Sequence, residues 1–149
     1  MNTRNPVSTA NVADHPLHPM LIPFPIAFLV ATLACDLAYW WTRTPGWSTA
    51  SLWLLGAALI MAALAAAAGL TDFVGDRRIR DLTAAWHHMI GNVVVVLLSL
   101  LNWYRRYDAG EMAVLPWGLA ISFLVVLILL YTGWRGWEMV YRHKVAVFD

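Results

Sequence analysis

Four long stretches of this chain carry no formal charge. No Asp, Glu, Lys or Arg occurs between Asp14 and Asp36, Arg43 and Asp72, Asp81 and Arg105, or Glu111 and Arg135. Each stretch exceeds the roughly 20 residues that cross a hydrocarbon layer about 30 Å thick. They lack the apolar–polar alternation of barrel strands, and a backbone in lipid must satisfy its own hydrogen bonds, so they read as helices. The pattern predicts helices at about 23–41, 48–70, 84–103 and 112–134. The connections Thr42–Trp47, with Pro45-Gly46, and Tyr104–Glu111, with Asp108-Ala109-Gly110, are short. Short connections force antiparallel neighbours, so the expected fold class is all-α, a four-transmembrane-helix up-down bundle. Residues 1–14 read as a polar tail, 15–147 as one transmembrane domain, and 135–149 as a charged extension of the last helix.

Composition agrees with lipid as the solvent. Of 149 residues, 60% are hydrophobic and 13% charged, against about 45–50% and about 25% in soluble domains. A soluble fold would expose large apolar patches. The single cysteine, Cys35, excludes an intramolecular disulfide. A net charge of +1 argues against nucleic acid as a partner, which needs a clustered basic face. The first apolar run continues far past a cleavable signal core, so it is expected to stay as a span. Arg4, Arg77, Arg78, Arg80, Arg135, Arg142 and Lys144 fall on the face holding both termini; Arg43, Arg105 and Arg106 fall on the other. Positive-inside bias then places both termini in the cytoplasm. The tryptophans crowd the expected helix ends as interfacial belts. In the second helix Ala58, Ala62 and Ala66, and Ala65 with Gly69, recur at four-residue spacing. Such spacing suits close packing within the bundle or across a homodimer interface.

This topology puts all five histidines on one face: His15 and His18 before the first helix, His87 and His88 opening the third, and His143 after the fourth. Pro16 and Pro19 push the histidines before them toward polyproline II, whose three-residue repeat would project His15 and His18 from one side. His88 and Asn92 share a helix face beside Gly91. Imidazole ligates iron, copper and zinc, and haem can be held by axial histidines in a helix bundle. Met20 and Met89 beside the histidines make copper an alternative; zinc is weaker, since no His-Glu-x-x-His helix occurs. Asp36 lies within the first span, where Asn102, Trp40 or Trp103 is expected to hydrogen-bond it. Arg135, Glu138 and Arg142 predict an ion-pair ladder, and Asp72, Asp76 and Asp81 are candidate partners for Arg77, Arg78 and Arg80.

The segments His15-Pro16-Leu17-His18-Pro19-Met20, Pro23-Phe24-Pro25, Asp36 and Gly69-Leu70-Thr71-Asp72-Phe73, the His88–Asn92 spacing, and Glu138-Met139-Val140-Tyr141-Arg142-His143 carry a family resemblance. From about Asp14 to Val147 the chain resembles the bacterial membrane-protein family of unknown function numbered 2231. The resemblance implies a four-pass inner-membrane domain, and the occurrence of similar domains joined to, or encoded beside, redox modules implies an electron-transfer setting with a redox partner subunit. It supports His15, His18, His88 and His143 as matching positions. Lys144 and Ala146 depart from it, standing where glycine-like residues are expected.

The function expected from these readings is a b-type haem protein of the membrane in electron transfer. His18 and His88 would be the axial ligands and His15 an alternate ligand or a hydrogen-bond donor behind them. Asn92 would orient His88, and Arg142 or His143 would lie near the propionates. The alternatives are a copper- or zinc-handling protein using His15, His18, His88 and Met20, and a non-catalytic structural subunit of a membrane complex. No Ser-His-Asp set, phosphate loop or paired catalytic carboxylates support a hydrolase.

Overall fold

The computed structural model describes residues 5–147. A two-residue bridge pairs β1 (Asn11–Val12) with β2 (His15–Pro16), closed by Ala13 and Asp14 at φ 50° and 62°. Then come α1 (Leu17–Leu21), α2 (Pro23–Thr42), α3 (Pro45–Gly75), α4 (Arg77–Arg80) and α5 (Thr83–Ala109). After α5 lie a 3-10 turn (Gly110–Ala113), a wide turn (Val114–Gly118) and α6 (Leu119–Tyr141). The all-α expectation holds. Three apolar segments are long enough to cross a membrane: Leu17–Thr42, Pro45–Gly75 and Thr83–Tyr141. The third bends back on itself, because Gly110 takes φ 59°, ψ −138° and Leu115 is extended, and α5 then packs along α6.

Helix ends follow local chemistry more than charge position. Pro45 starts α3 at a first-turn position, where a missing N–H costs no hydrogen bond. The expected loop 42–47 thus shrinks to Arg43 and Thr44. The expected loop beginning at Tyr104 is helical through Ala109, because the charges Arg105, Arg106 and Asp108 sit on a continuing helix and do not end it. At 31 residues, α3 is about 46 Å long at 1.5 Å per residue. It therefore carries Thr71–Gly75 past a hydrocarbon layer of about 30 Å.

Two antiparallel hairpins, α2–α3 and α5–α6, lie side by side. The core takes Leu29 from α2, Leu55 and Ala58 from α3, Val95 from α5 and Val125 from α6. Ala58, Ala65 and Ala68 of the small-residue helix are buried, whereas Ala66 is exposed, so the close-packed stripe turns away from Ala66. Around this core, many apolar side chains face outward and several polar ones are buried. Trp41 is 83% exposed and many leucines and valines face outward, while Asp36, Ser51, Ser99, Asn102, Arg106, Ser122 and Thr132 are buried. An apolar exterior, with these polar side chains kept inside, suits lipid.

The expected polar tail is a strap. Asp72 Oδ1, on the projecting end of α3, accepts from the backbone N–H of Thr9 (2.7 Å) and Ala10 (2.8 Å) and from Ser8 Oγ (2.9 Å). Asp76 accepts from Val7 N (3.2 Å) and from the Arg78 side chain (2.7 Å). Of the acidic residues expected to pair with the neighbouring arginines, Asp76 does so, whereas Asp72 holds the strap. Arg80 donates to the carbonyls of Phe73 and Val74. Ala146 N donates to Pro6 O (2.9 Å), tying the tail after α6 to the strap. Lys144 and Ala146 take φ 55° and 58°, the left-handed region that favours glycine, which fits the expectation of glycine-like residues at these two positions.

Hydrogen bonds from Arg78, together with those from the backbone of Arg78 and Val7, hold the Asp76 carboxyl down at about 2, below its ordinary 3.8. Because the folded value lies below the unfolded one, its stabilisation is complete above about pH 4 and is lost as pH falls through about 2. Amide exchange at Val7 should therefore accelerate over that window. Asp72→Ala should release residues 8–10 at neutral pH, read as new proteolytic cleavage ahead of α1. Each hydrogen bond to a charged acceptor is worth about 1.5–3 kcal/mol. Unchanged protection at Thr9 and Ala10 in that variant would contradict the assignment.

Candidate functional site

His18 and His88 come together at the end of the bundle where α2 and α5 begin. Their ring centroids are 6.0 Å apart, with planes inclined by 78°. His18 Nδ1 lies 2.8 Å from Ala65 O and His88 Nδ1 lies 2.9 Å from Thr132 O. A carbonyl only accepts, so each Nδ1 carries the proton and each neutral ring keeps its Nε2 lone pair for a ligand. This is the second hydrogen bond by which metal-binding histidines are usually oriented.

The two halves of the site are built alike. Each acceptor carbonyl lies one turn before a glycine of the same helix, Ala65 before Gly69 and Thr132 before Gly136. Each glycine lets the imidazole lie against its helix. A Cβ on Gly69 would come within 2.7 Å of His18 Nδ1, and one on Gly136 within 3.3 Å of His88 Nδ1. Asn92 stands beside His88 as expected, but its Nδ2 donates to the His88 carbonyl (2.8 Å) and its Oδ1 accepts from Thr132 Oγ1 (3.4 Å). It braces the backbone of His88 and the Thr132 that holds the ring.

The other expected site residues are not part of this pair. His15 is exposed and its Nδ1 turns to Ala13 O at 2.7 Å. The polyproline strut does not form: His18 lies inside α1, whose Pro19 needs no N–H partner in a first turn. His15 and His18 therefore do not project together. Arg142 is exposed, pairs with Glu138 at 3.5 Å and lies over the Trp137 ring. His143 is exposed just beyond α6. The ladder expected on α6 is present, with Arg135 to Glu138 at 3.0 Å. Among the described residues no three His, Cys, Asp or Glu side chains gather as metal ligands. Of His15, His18 and His88, the structure brings together His18 and His88 and leaves His15 apart.

At the opposite end, about 27 Å along the helix axes, Asp36 meets Arg106. Like His18 and His88, they are 70 residues apart; Asp36 comes from α2 and Arg106 from α5. Arg106 donates to both Asp36 oxygens (2.6 and 2.7 Å), to Asn102 Oδ1 (3.1 Å), to Ser122 Oγ (3.4 Å) and to Ser51 Oγ. These acceptors use all five guanidinium hydrogens. Ser122 also donates to Asp36 at 2.7 Å, and Asn102 donates to Ser122 and to Gly118 O. Sequence reasoning missed this cation. The charge pattern places Arg106 with Arg105 at the outer face, and the expected partners of Asp36 are Asn102, Trp40 or Trp103, whereas Arg106 and Ser122 hold it. The available signal was the polar stripe Ser99, Asn102, Arg106, which lies on one helical face.

Residues 14–149 match the family model described as predicted membrane protein (DUF2231). The chain belongs to this family. No curated protein and no solved structure matches it. Family membership and the three apolar segments agree that this is an integral membrane protein.

Proposed function

We propose that His18 and His88 are the axial ligands of a b-type haem and that this family member transfers electrons within the membrane. The observation carrying the reading is the pair of imidazoles 6.0 Å apart, each with Nδ1 committed to a backbone carbonyl. A haem iron asks the protein for two ligands only, whereas a zinc site asks for three or four. Bound there, haem would supply one-electron chemistry. The chain would hold both ring orientations and tune the potential through the two carbonyl hydrogen bonds.

The reading includes four passes formed by α2, α3, α5 and α6, a bacterial inner membrane, both termini on the cytoplasmic side, and a redox partner subunit. The histidine end then lies near the cytoplasmic face, within reach of such a subunit. Copper also accepts imidazole and is separated from haem by elemental analysis.

Protein purified in detergent after haem-replete expression should show oxidised and reduced spectra of a bis-imidazole haem. His18→Ala and His88→Ala should each abolish them, whereas His15→Ala and His87→Ala should leave them in place. Absence of porphyrin absorption in the wild type would overturn the proposal, and stoichiometric copper would replace it.

A further inference from the structure

One face of α3 holds the whole segment that leads into His18. Ala65, Gly69, Asp72 and Asp76 follow one another at spacings of four, three and four, so they share that face. Ala65 O lies 2.8 Å from His18 Nδ1, and the ring rests against Gly69. Further along, Asp72 Oδ1 accepts from Thr9 N (2.7 Å) and Ala10 N (2.8 Å), and Thr71 O accepts from Thr9 Oγ1 (2.9 Å). Asp76 then accepts from Val7 N at 3.2 Å. The Thr9 side chain lies on Gly75, where a Cβ would overlap it. Ala10 is the joint. While its N–H is on Asp72, its carbonyl accepts from Leu17 N at 2.9 Å, and the bridge of Asn11–Val12 with His15–Pro16 closes the loop between them. Leu17 opens α1 and immediately precedes His18. A hydrogen-bonded path thus runs from the Asp72 carboxylate, through the backbone of Ala10, to the residue beside the imidazole.

We propose that Asp72 is a positioning residue for His18: by fixing Ala10, and through it Leu17, the carboxylate seats α1 across α3 so that the imidazole reaches Ala65 O. Nothing within α1 does this. It is five residues long, buries none of them and has no side-chain cap, and so short a helix does not hold itself. The two histidines therefore differ in what places them. His88 sits inside the 27 residues of α5, and its position follows from that helix. His18 depends on the strap. What this seating does for a ligand shared by both rings rests on the haem reading above; the seating itself does not.

The test compares the two imidazole Nδ1–H signals in the full-length protein, labelled with ¹⁵N-histidine and held in detergent. Dithionite keeps any low-spin haem iron diamagnetic, so the same measurement serves with or without haem, and His18→Ala and His88→Ala assign the signals. In Asp72→Ala the His18 Nδ1–H should exchange with water at least about 10-fold faster, the scale of one lost hydrogen bond to a charged acceptor, while the His88 signal keeps its rate. Asp72→Asn should stay within about 3-fold of wild type, because an amide Oδ1 still accepts, at about half the strength of a carboxylate. Gly75→Leu lifts Thr9 by contact alone, from outside the apolar span, and should reproduce Asp72→Ala; it decides the matter if the alanine variant does not fold. Where haem is bound, Asp72→Ala should lower its content and Asp72→Asn should restore it. A wild type without haem sinks the haem reading and leaves the imidazole signals to decide this one. An unchanged His18 rate in Asp72→Ala and Gly75→Leu, equal acceleration at His88, or no rescue by Asp72→Asn would overturn the positioning role.

Discussion

Arg106→Ala is expected to cost about 3–5 kcal/mol, the scale for breaking one side of a buried ion pair. Asp36 is fully buried and would keep only the Ser122 hydroxyl. Asp36→Ala should be comparably severe, because it strands the guanidinium. Arg106→Lys should recover only part of the loss, since three ammonium donors replace a five-donor fork reaching Asp36, Asn102, Ser51 and Ser122. The double variant Asp36→Leu with Arg106→Met should be more stable than either alanine variant, because neither charge is then left alone in an apolar interior. Thermal midpoints and the monodisperse fraction in detergent measure all four. Near-wild-type stability of Arg106→Ala would mean that the pair does not hold the hairpins together. Asp36 and Arg106 come from different hairpins, so a hairpin paired with a second copy of itself would bury its charge without its partner. The ion pair therefore also specifies which hairpin meets which.

The second large effect is expected at the glycines behind the histidines. Gly69→Ala would place a methyl 2.7 Å from His18 Nδ1 and 2.8 Å from its Cε1. The ring must leave Ala65 O, at about 1–3 kcal/mol for overpacking. With its Nδ1 bond gone, His18 is no longer aimed at His88. Gly136→Ala should be milder, as its methyl would lie 3.3 Å from the His88 ring. Gly133→Ala is the control, with nothing within 4 Å of its Cβ. There alanine should stabilise α6 by about 0.5–1 kcal/mol. Thermal midpoints, with the haem spectrum as a second readout, should rank Gly69→Ala below Gly136→Ala below the control. Equal midpoints for Gly69→Ala and Gly133→Ala would remove the close-packing role of Gly69.

The same glycines mark the limit of what could be read in advance. Gly69 was legible as a small residue on a packing stripe, and His18 as a candidate ligand. That one lies against the other depends on how α1 crosses α3, which no local pattern encodes. His88 and Asn92 were legible as neighbours because helical periodicity is local. The direction of their hydrogen bonds was not, because Thr132 arrives from α6.

By itself the chain determined the helical class, the apolar segments, the exposure of most tryptophans and the ladder Arg135–Glu138–Arg142. These depend on residue spacing and on the cost of an unpaired backbone in lipid, both local quantities. Only the tertiary structure decided that Arg106 turns inward to Asp36, that His15 stands apart while His18 meets His88, and that the N-terminal tail is strapped to Asp72. The physical reason is that a charged or imidazole side chain takes its role from a partner. Here those partners lie in distant segments, 70 residues away for Asp36 and 47 for His18.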